Sequence, residues 1–441
     1  MELLIEKEEI KNGEIITGKV KGKLGKVKIY EARLQGDIVL KGWDDNKKID
    51  YFFATEKSFF GYLSSKIGHP FFVVKDDIVE CYIDYYDTEF DDYVEIEPLV
   101  ILHGNVDMLV NVYSDMVKKN LETSFSNWNP VGWSCKWNCL TNFKESLDYA
   151  KKYPFEVFQI DFWYKNIGDW EPKFSSFEEI AEEIKSYGMK PGIWIAPFVV
   201  LEGSDIFKEK KNWFVKNEKG NPKKIYNING KGLYALDLTN NEVEEHIRNI
   251  FLRIKNAGFE YFKLDFLFAG IVKGKRKESV TPIQSYRKGL KLIRDLLGEF
   301  IVGVRAPLLP SIGYVDGMKI TNMSEKGLYG ALRDVITRYF MNGRWWWNAP
   351  DFSLGNNIST TQKKLFFMTV GILNNMLFLS DSLKGNLENY LFKAALKLRG
   401  GKIFVKNIGA KGYEIKAIGT NIGDVSFRLC IETEKSEFYI E

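Results

Sequence analysis

Histidine is almost missing from this 441-residue chain, with three in all: His69, His103 and His246. Imidazole acid–base chemistry and histidine metal centres are therefore poorly provided for. Cysteine is as scarce, with Cys81, Cys135, Cys139 and Cys430 scattered along the sequence. That usage fits a reducing cytosol better than a disulfide framework. Cys135 and Cys139 lack a second His/Cys pair to complete a tetrahedral site, so zinc is not expected. No run approaches the roughly 20 apolar residues that cross a bilayer. The segment Met1–Ile10 is already charged, which predicts no signal peptide. An excess of one charge is lacking too: 62 basic residues face 59 acidic ones, for a net charge of +3. Such a balance gives no electrostatic case for nucleic acid or an anionic membrane. These absences predict a cytoplasmic protein with neither partner.

Aromatic residues, by contrast, are plentiful at 15%, with 11 Trp, 22 Tyr and 32 Phe. Their faces stack on sugars and bases, but most aromatics fill cores. Lys, Glu and Ile are abundant while Gln and His are rare, a balance compatible with a thermophilic source. The length exceeds one ordinary core and predicts two or three domains.

Residues 1–115 carry short alternating runs (Val27–Arg33, Phe71–Val74, Tyr93–Ile96) broken by Gly, Asp and Asn. These predict an antiparallel domain, read as a β-sandwich. Asp107–Leu121 is the first plausible helix and a candidate linker. Over residues 116–400 strands alternate with helices. Val131–Cys135, Glu156–Asp161, Gly192–Ala196, Tyr234–Leu238, Tyr261–Phe266, Ile301–Arg305, Tyr314–Ile320 and Met376–Ser380 are the strand candidates. Eight such units predict a (β/α)8 TIM barrel. Residues 401–441 return to short strands and predict a small C-terminal antiparallel β domain. The oligomeric state is open, since aromatics of the first domain would suit either a homo-oligomer interface or its core.

The chemistry concentrates in Tyr261–Phe266, Y-F-K-L-D-F. Strand alternation puts Lys263 and Asp265 on one face, and strand ends are where such a barrel keeps its active site. A surface salt bridge at a strand end is the plain alternative. Carboxylates recur at predicted strand ends: Asp161, Asp237, Asp265 and Asp381. Asp237 also suits a helix N-cap, and Asp381 a turn. Asp161 and Asp265 lie inside aromatic runs, and Trp133, Trp137, Trp163, Trp170, Trp194 and Trp345–Trp347 are expected near the same mouth. Carboxylates framed by aromatics, with no metal-ligand set or phosphate loop, point to a small-molecule carbohydrate substrate. No cofactor or metal is called for. Glycoside cleavage needs two carboxyl groups, one to attack or activate water and one to protonate the leaving oxygen.

Several runs then become specific. F-E-V-F-Q-I-D (Phe155–Asp161), I-G-D-W (Ile167–Trp170), P-G-I-W-I-A-P-F (Pro191–Phe198), Y-F-K-L-D-F-L-F-A-G, T-P-I-Q-S-Y-R-K-G and I-T-R-Y-F-M-N-G-R occur in order. The chain resembles the α-galactosidases of glycoside hydrolase family 36 across about residues 125–385. The resemblance implies a β-sandwich, a catalytic barrel and a C-terminal β domain, with retaining, metal-free hydrolysis of α-galactosides. It implies Asp265 as nucleophile, Lys263 and Asp161 as ligands of sugar hydroxyls, and Trp194 and Trp137 as tryptophans of the site. Lys263 is expected to hold Asp265 ionised, because a close opposite charge lowers a carboxyl pKa.

The departures from the family pattern are as informative. In G-M-K-I-T-N-M (Gly317–Met323), Met323 stands where the family has its acid/base aspartate, and Lys319 replaces the motif arginine. Phe162 replaces the second aspartate of the sugar-binding pair, and Arg305 stands where the family has a small residue. Lys136 precedes Trp137 in an altered tryptophan pocket, and the first domain's loop F-G-Y-L-S-S ends in Ser65 rather than a tryptophan. A methionine protonates nothing. Glu325 is the first substitute for the acid, its alternative being a solvated loop charge. Asp334 (a helix-surface residue) and Asp351 (a turn residue) follow. Arg305, Lys319 and Lys136 add positive charge and predict a substrate with an acidic group. A carbohydrate-binding homologue with little or no hydrolysis, and a transglycosylase, are the rival readings.

Overall fold

The computed structural model describes residues 1–441 apart from 45–47, 137–138, 140, 322, 351–357, 381–385, 410–411, 432, 434 and 441, and apart from the side chains at 43–44, 323–325, 380, 386 and 408–409. The first strands are β1 (Glu2–Ile10), β2 (Gly13–Arg33), β3 (Ile38–Asp44), β4 (Ile49–Thr55), β5 (Ser58–Tyr62), β6 (His69–Lys75), β7 (Ile78–Glu95) and β8 (Leu99–His103). They form one eight-stranded antiparallel sheet in the order β1-β2-β7-β6-β4-β5-β8, with β3 on β4. The long β2 pairs with β7 along one stretch and with β8 at its start, so the sheet curls back on itself around an apolar interior. Alternation makes this work: Ile16, Val20, Leu24, Val27 and Ile29 of β2 are buried while lysines between them face water. The sequence reading of an antiparallel β domain holds, as one continuous folded-over sheet.

The helix Val106–Leu121 joins this sheet to the next unit. Tyr113 packs on Phe59 (4.6 Å between ring centroids) and on Trp345 (6.0 Å), while Ser114 donates to the Phe340 carbonyl (2.7 Å). A second tie is the buried carboxylate of Glu97. It accepts from the N–H groups of Lys66 (2.7 Å), Ile67 (2.7 Å) and Gly68 (3.0 Å) and from the Ser64 hydroxyl. The loop so folded turns Ser65 inward onto the Gly68 carbonyl (2.7 Å) and offers the Ile67 carbonyl to Thr281. Thr281 is also the N-cap of helix Pro282–Leu297, in a reciprocal capping box with Gln284.

Eight parallel strands follow, in the order β18-β17-β16-β15-β11-β10-β9-β19. The strands from here are β9 (Val131–Cys135), β10 (Val157–Ile160), β11 (Lys190–Ile195), β12 (Val199–Leu201), β13 (Lys224–Ile228), β14 (Lys231–Ala235), β15 (Tyr261–Leu264), β16 (Phe300–Gly303), β17 (Gly317–Lys319), β18 (Trp347–Ala349) and β19 (Leu377–Ser380). The N–H of Met376 donates to the Asn348 carbonyl (2.9 Å) and closes the ring between its two outer strands. The lumen has its own core of Val157, Tyr261, Phe300, Val302, Val304 and Met376, separate from the layer between strands and helices. Tyr261 lies between Phe300 and Phe378, with centroids 5.6 and 5.3 Å away. Gly132 must be glycine: a Cβ there would stand 2.4 Å from the Phe378 ring.

One strand assignment is corrected. Tyr234–Leu238 is not a barrel strand; its first two residues end β14, which pairs antiparallel with β12 and β13 in a small side sheet. The eighth barrel position belongs to Trp347–Ala349, a run expected to supply mouth aromatics. The tail forms a four-stranded antiparallel sheet of β20 (Lys402–Gly409), β21 (Gly412–Thr420), β22 (Gly423–Cys430) and β23 (Ser436–Ile440). Among the described residues, no helix is long and apolar enough to cross a membrane.

Candidate active site

The strand alternation read from Y-F-K-L-D-F is what the barrel uses. Tyr261 and Lys263 line the lumen cavity, Phe262 and Leu264 join the outer core, and Asp265 stands just beyond the strand end. The Asp265 N–H donates to the Ile195 carbonyl (2.8 Å), which fixes this residue against β11. Its side chain is 8% exposed.

The partner of that carboxylate is not the expected one. Lys263 reaches across to Asp161, with Nζ 3.3 Å from Oδ2 and 3.4 Å from Oδ1. Asp161 also accepts from Gln159 Nε2, and Gln159 accepts from the Ser134 hydroxyl (3.3 Å). A polar ladder thus crosses β9, β10 and β15 inside the barrel. Asp265 is held by Arg305 instead. Nε donates to Oδ1 and Nη2 to Oδ2, both at 2.8 Å, a two-point fork. Trp194 Nε1 adds a bond to Oδ2 (3.0 Å) and the Phe266 N–H one to Oδ1 (2.6 Å). A carboxylate offers about four acceptor sites, so these four donors fill them all. Burial pushes the Asp265 carboxyl up, but the Arg305 hydrogen bonds and charge, with Trp194 and the Phe266 amide, outweigh it and hold the group below the ordinary carboxylate range.

Arg305 follows β16, and its guanidinium lies 3.6 Å from the centre of the Phe266 ring. Sequence reasoning counted it as an added cation of the mouth and missed its partner. Only the spacing of Arg305 after a strand adjacent to β15 could have signalled it. Trp194 does stand at the site, wedged by Phe162 (4.7 Å between centroids) and Trp170 (6.3 Å). Phe162, in place of a second acid, therefore props the tryptophan that donates to Asp265. Lys319 and Lys136 line the lumen cavity with Lys263, Ser134 and Gln159.

Other expected mouth residues lie elsewhere. Trp133, Trp345 and Trp346 are fully buried in the outer core, and Trp163 and Trp170 are nearly so. Asp237 binds the Thr239 amide (3.0 Å) and hydroxyl (2.7 Å) and the Lys277 amide (2.7 Å). Asn240, not Asp237, caps the following helix. Asp334 is not a surface residue: it is buried, with Lys326 at 2.7 Å and Arg338 at 3.5 Å. Cys135 and Cys139 form a disulfide, contrary to the expectation from their scatter. Cys135 ends β9, and a turn closed by the Cys139 N–H on the Lys136 carbonyl (2.9 Å) brings the second sulfur back. Trp137, Asp351 and Asp381 lie outside the described residues, as does the side chain of Glu325 on helix Met323–Thr337.

Residues 45–103 match the family described as "Alpha-galactosidase, N-terminal", and residues 126–286 match "Melibiase". The second match spans β9 through the start of helix Pro282–Leu297 and so contains Asp161, Trp194, Lys263 and Asp265. Over these two segments the chain is α-galactosidase-like, a glycoside hydrolase by its family matches. Solved α-galactosidase structures share the fold. TtGalA, the α-galactosidase of Thermus thermophilus in complex with p-nitrophenyl α-D-galactopyranoside, is similar with a TM-score of 0.69 at 20% identity, over 93% of this chain and 94% of its own. The α-galactosidase AgaA of Geobacillus stearothermophilus in complex with raffinose gives 0.67 at 10% identity, over 95% and 71%. The α-galactosidase of Lactobacillus brevis gives 0.65 at 12% identity, over 97% and 75%.

Proposed function

We propose that the chain is a retaining α-glycosidase of the α-galactosidase type, acting on α-linked galactosides or related sugars through a covalent glycosyl-Asp265. The observation that carries this reading is a buried carboxylate just beyond β15, gripped by a guanidinium fork and two further donors, inside the segment that matches melibiases. In the first step one Asp265 oxygen bonds to the anomeric carbon as the bond to the leaving oxygen breaks, and that oxygen takes a proton from the acid. In the second step water attacks the same carbon, loses a proton to the conjugate base, and frees Asp265. Glu325 is the proposed acid/base, and a retaining pair requires its carboxyl about 5–5.5 Å from Asp265. Lys263 and Asp161 are proposed to bind sugar hydroxyls, with Trp194 and Trp137 forming apolar walls and Arg305 and Lys319 meeting an acidic substituent.

The reaction needs Arg305 to let go, since a carboxylate with every acceptor site filled has no lone pair for carbon. Charge-assisted hydrogen bonds contribute about 1.5–3 kcal/mol each, so the closed state slows attack unless the substrate takes over the guanidinium. That same observation favours a second reading: a carbohydrate-binding homologue with weak or no hydrolysis, in which the pair stays closed. An activated 2-fluoro-glycosyl fluoride separates the two. Mass-spectrometric labelling of the peptide containing Asp265 is the expected result. Saturable sugar binding with no label on that peptide would remove the glycosidase and leave the binder.

A further inference from the structure

Arg305 stands in the left-handed backbone region (φ 48°), which strains residues bearing a side chain and which glycine adopts freely. Phe266 on the neighbouring loop is left-handed as well (φ 53°), and the Phe268 N–H donates to the Arg305 carbonyl (2.8 Å). The two loops therefore clamp each other. A strained non-glycine residue that its surroundings over-determine points to a side chain in use. The side chain of Arg305 is 38% exposed while that of Asp265 is 8% exposed. A ligand entering the mouth thus meets the guanidinium first. Lys136, Lys263 and Lys319 line the lumen cavity of the same barrel.

We propose that this mouth selects α-glycosides of acidic sugars, a uronic acid being the simplest, and that Arg305 is the residue that reads the acid group. The guanidinium fork matches a carboxylate at two points and a sugar hydroxyl at only one, without charge. A ligand carboxylate can therefore exchange for Asp265 on the fork. Asp265 would keep its bonds from Trp194 and the Phe266 amide and expose one acceptor site on each oxygen. A neutral sugar offers no such exchange, and the pair stays closed. This inference takes its consequence for turnover from the glycosidase reading; the binding preference stands without it.

The test is calorimetric titration of the full chain with methyl α-D-galactopyranosiduronate and with methyl α-D-galactopyranoside. The uronate should bind about tenfold or more tightly, the equivalent of one charge-assisted contact, and its advantage should shrink as sodium chloride is raised. Arg305→Gly, which suits the backbone, should remove the preference. Arg305→Lys, which keeps charge but not the fork, should retain only part of it. Equal affinities in the wild type, or an undiminished preference in Arg305→Gly, would overturn the proposal. Labelling of Asp265 by a 2-fluoro-galacturonosyl fluoride, which carries the acid group that opens the fork, reads the other question. Label without uronate preference removes this inference alone, while preference without label keeps it and removes the glycosidase.

Discussion

Two ion pairs stand at this barrel, one on β15 through Lys263 and one just beyond its end through Asp265, and they are built differently. Lys263 meets Asp161 at 3.3 and 3.4 Å, a compact point charge beside a buried carboxylate. Arg305 meets Asp265 at 2.8 Å twice, through a planar fork backed by two further donors. The first geometry is longer and rests on a single ammonium. The second has no vacancy and opens only to a rival of matching shape and charge. Ion pairs of similar composition thus differ in how firmly they hold their carboxylate, and donor geometry decides which holds more firmly.

The largest effect that would sharpen this contrast comes from Asp265→Asn. Hydrolysis of an aryl α-glycoside should fall on the order of 10⁴–10⁶-fold, the range for losing an acting nucleophile, while sugar binding by calorimetry persists. A residual rate near wild type would break the assignment. Next is Arg305→Gly, expected to raise kcat/KM for neutral aryl α-galactosides by about 10–100-fold, because one or two charge-assisted bonds to Asp265 are gone. A fall would show that the guanidinium helps rather than latches. Lys263→Met and Asp161→Asn should each weaken sugar binding by about tenfold, visible in KM more than in kcat.

Acid stability should follow Asp265 as well. Its folded-state pKa lies below the ordinary carboxylate value, so its stabilisation is complete above that value and is lost as pH falls through the depressed one. In urea titrations the wild type should lose more stability than Asp265→Asn on going from neutral pH to below about pH 4. Equal losses would mean that the pair is not what holds Asp265 charged. The smallest effect belongs to Trp194→Phe, which removes one donor and should cost about 0.5–1.5 kcal/mol in the same assay.

Much of the barrel was legible because its strands are separated by capped amphipathic helices, and Lys263 and Asp265 share a face by simple alternation. Two features hid the rest. Trp347–Ala349 is a three-residue strand, too short to show a period, whereas Tyr234–Leu238 alternates convincingly and yet serves a side sheet. The pairing of cations with acids was illegible for another reason. Lys263 and Asp161 are neighbours only through β10, β11 and β15 lying side by side, and Arg305 reaches Asp265 only because its backbone turns left-handed after β16. The Cys135–Cys139 link depends likewise on a turn that spacing alone does not announce.

The Glu97 cradle carries a consequence for handling the molecule. One buried carboxylate gathers three amides of the first sheet's loop, and that loop's next carbonyl receives the hydroxyl that starts the helix behind β15. A barrel expressed without its first hundred residues would lose that seam and bare the aromatic contacts of Tyr113 beside it. Trimming this protein to a minimal catalytic unit would therefore unstitch the start of the helix that follows β15 before touching the chemistry.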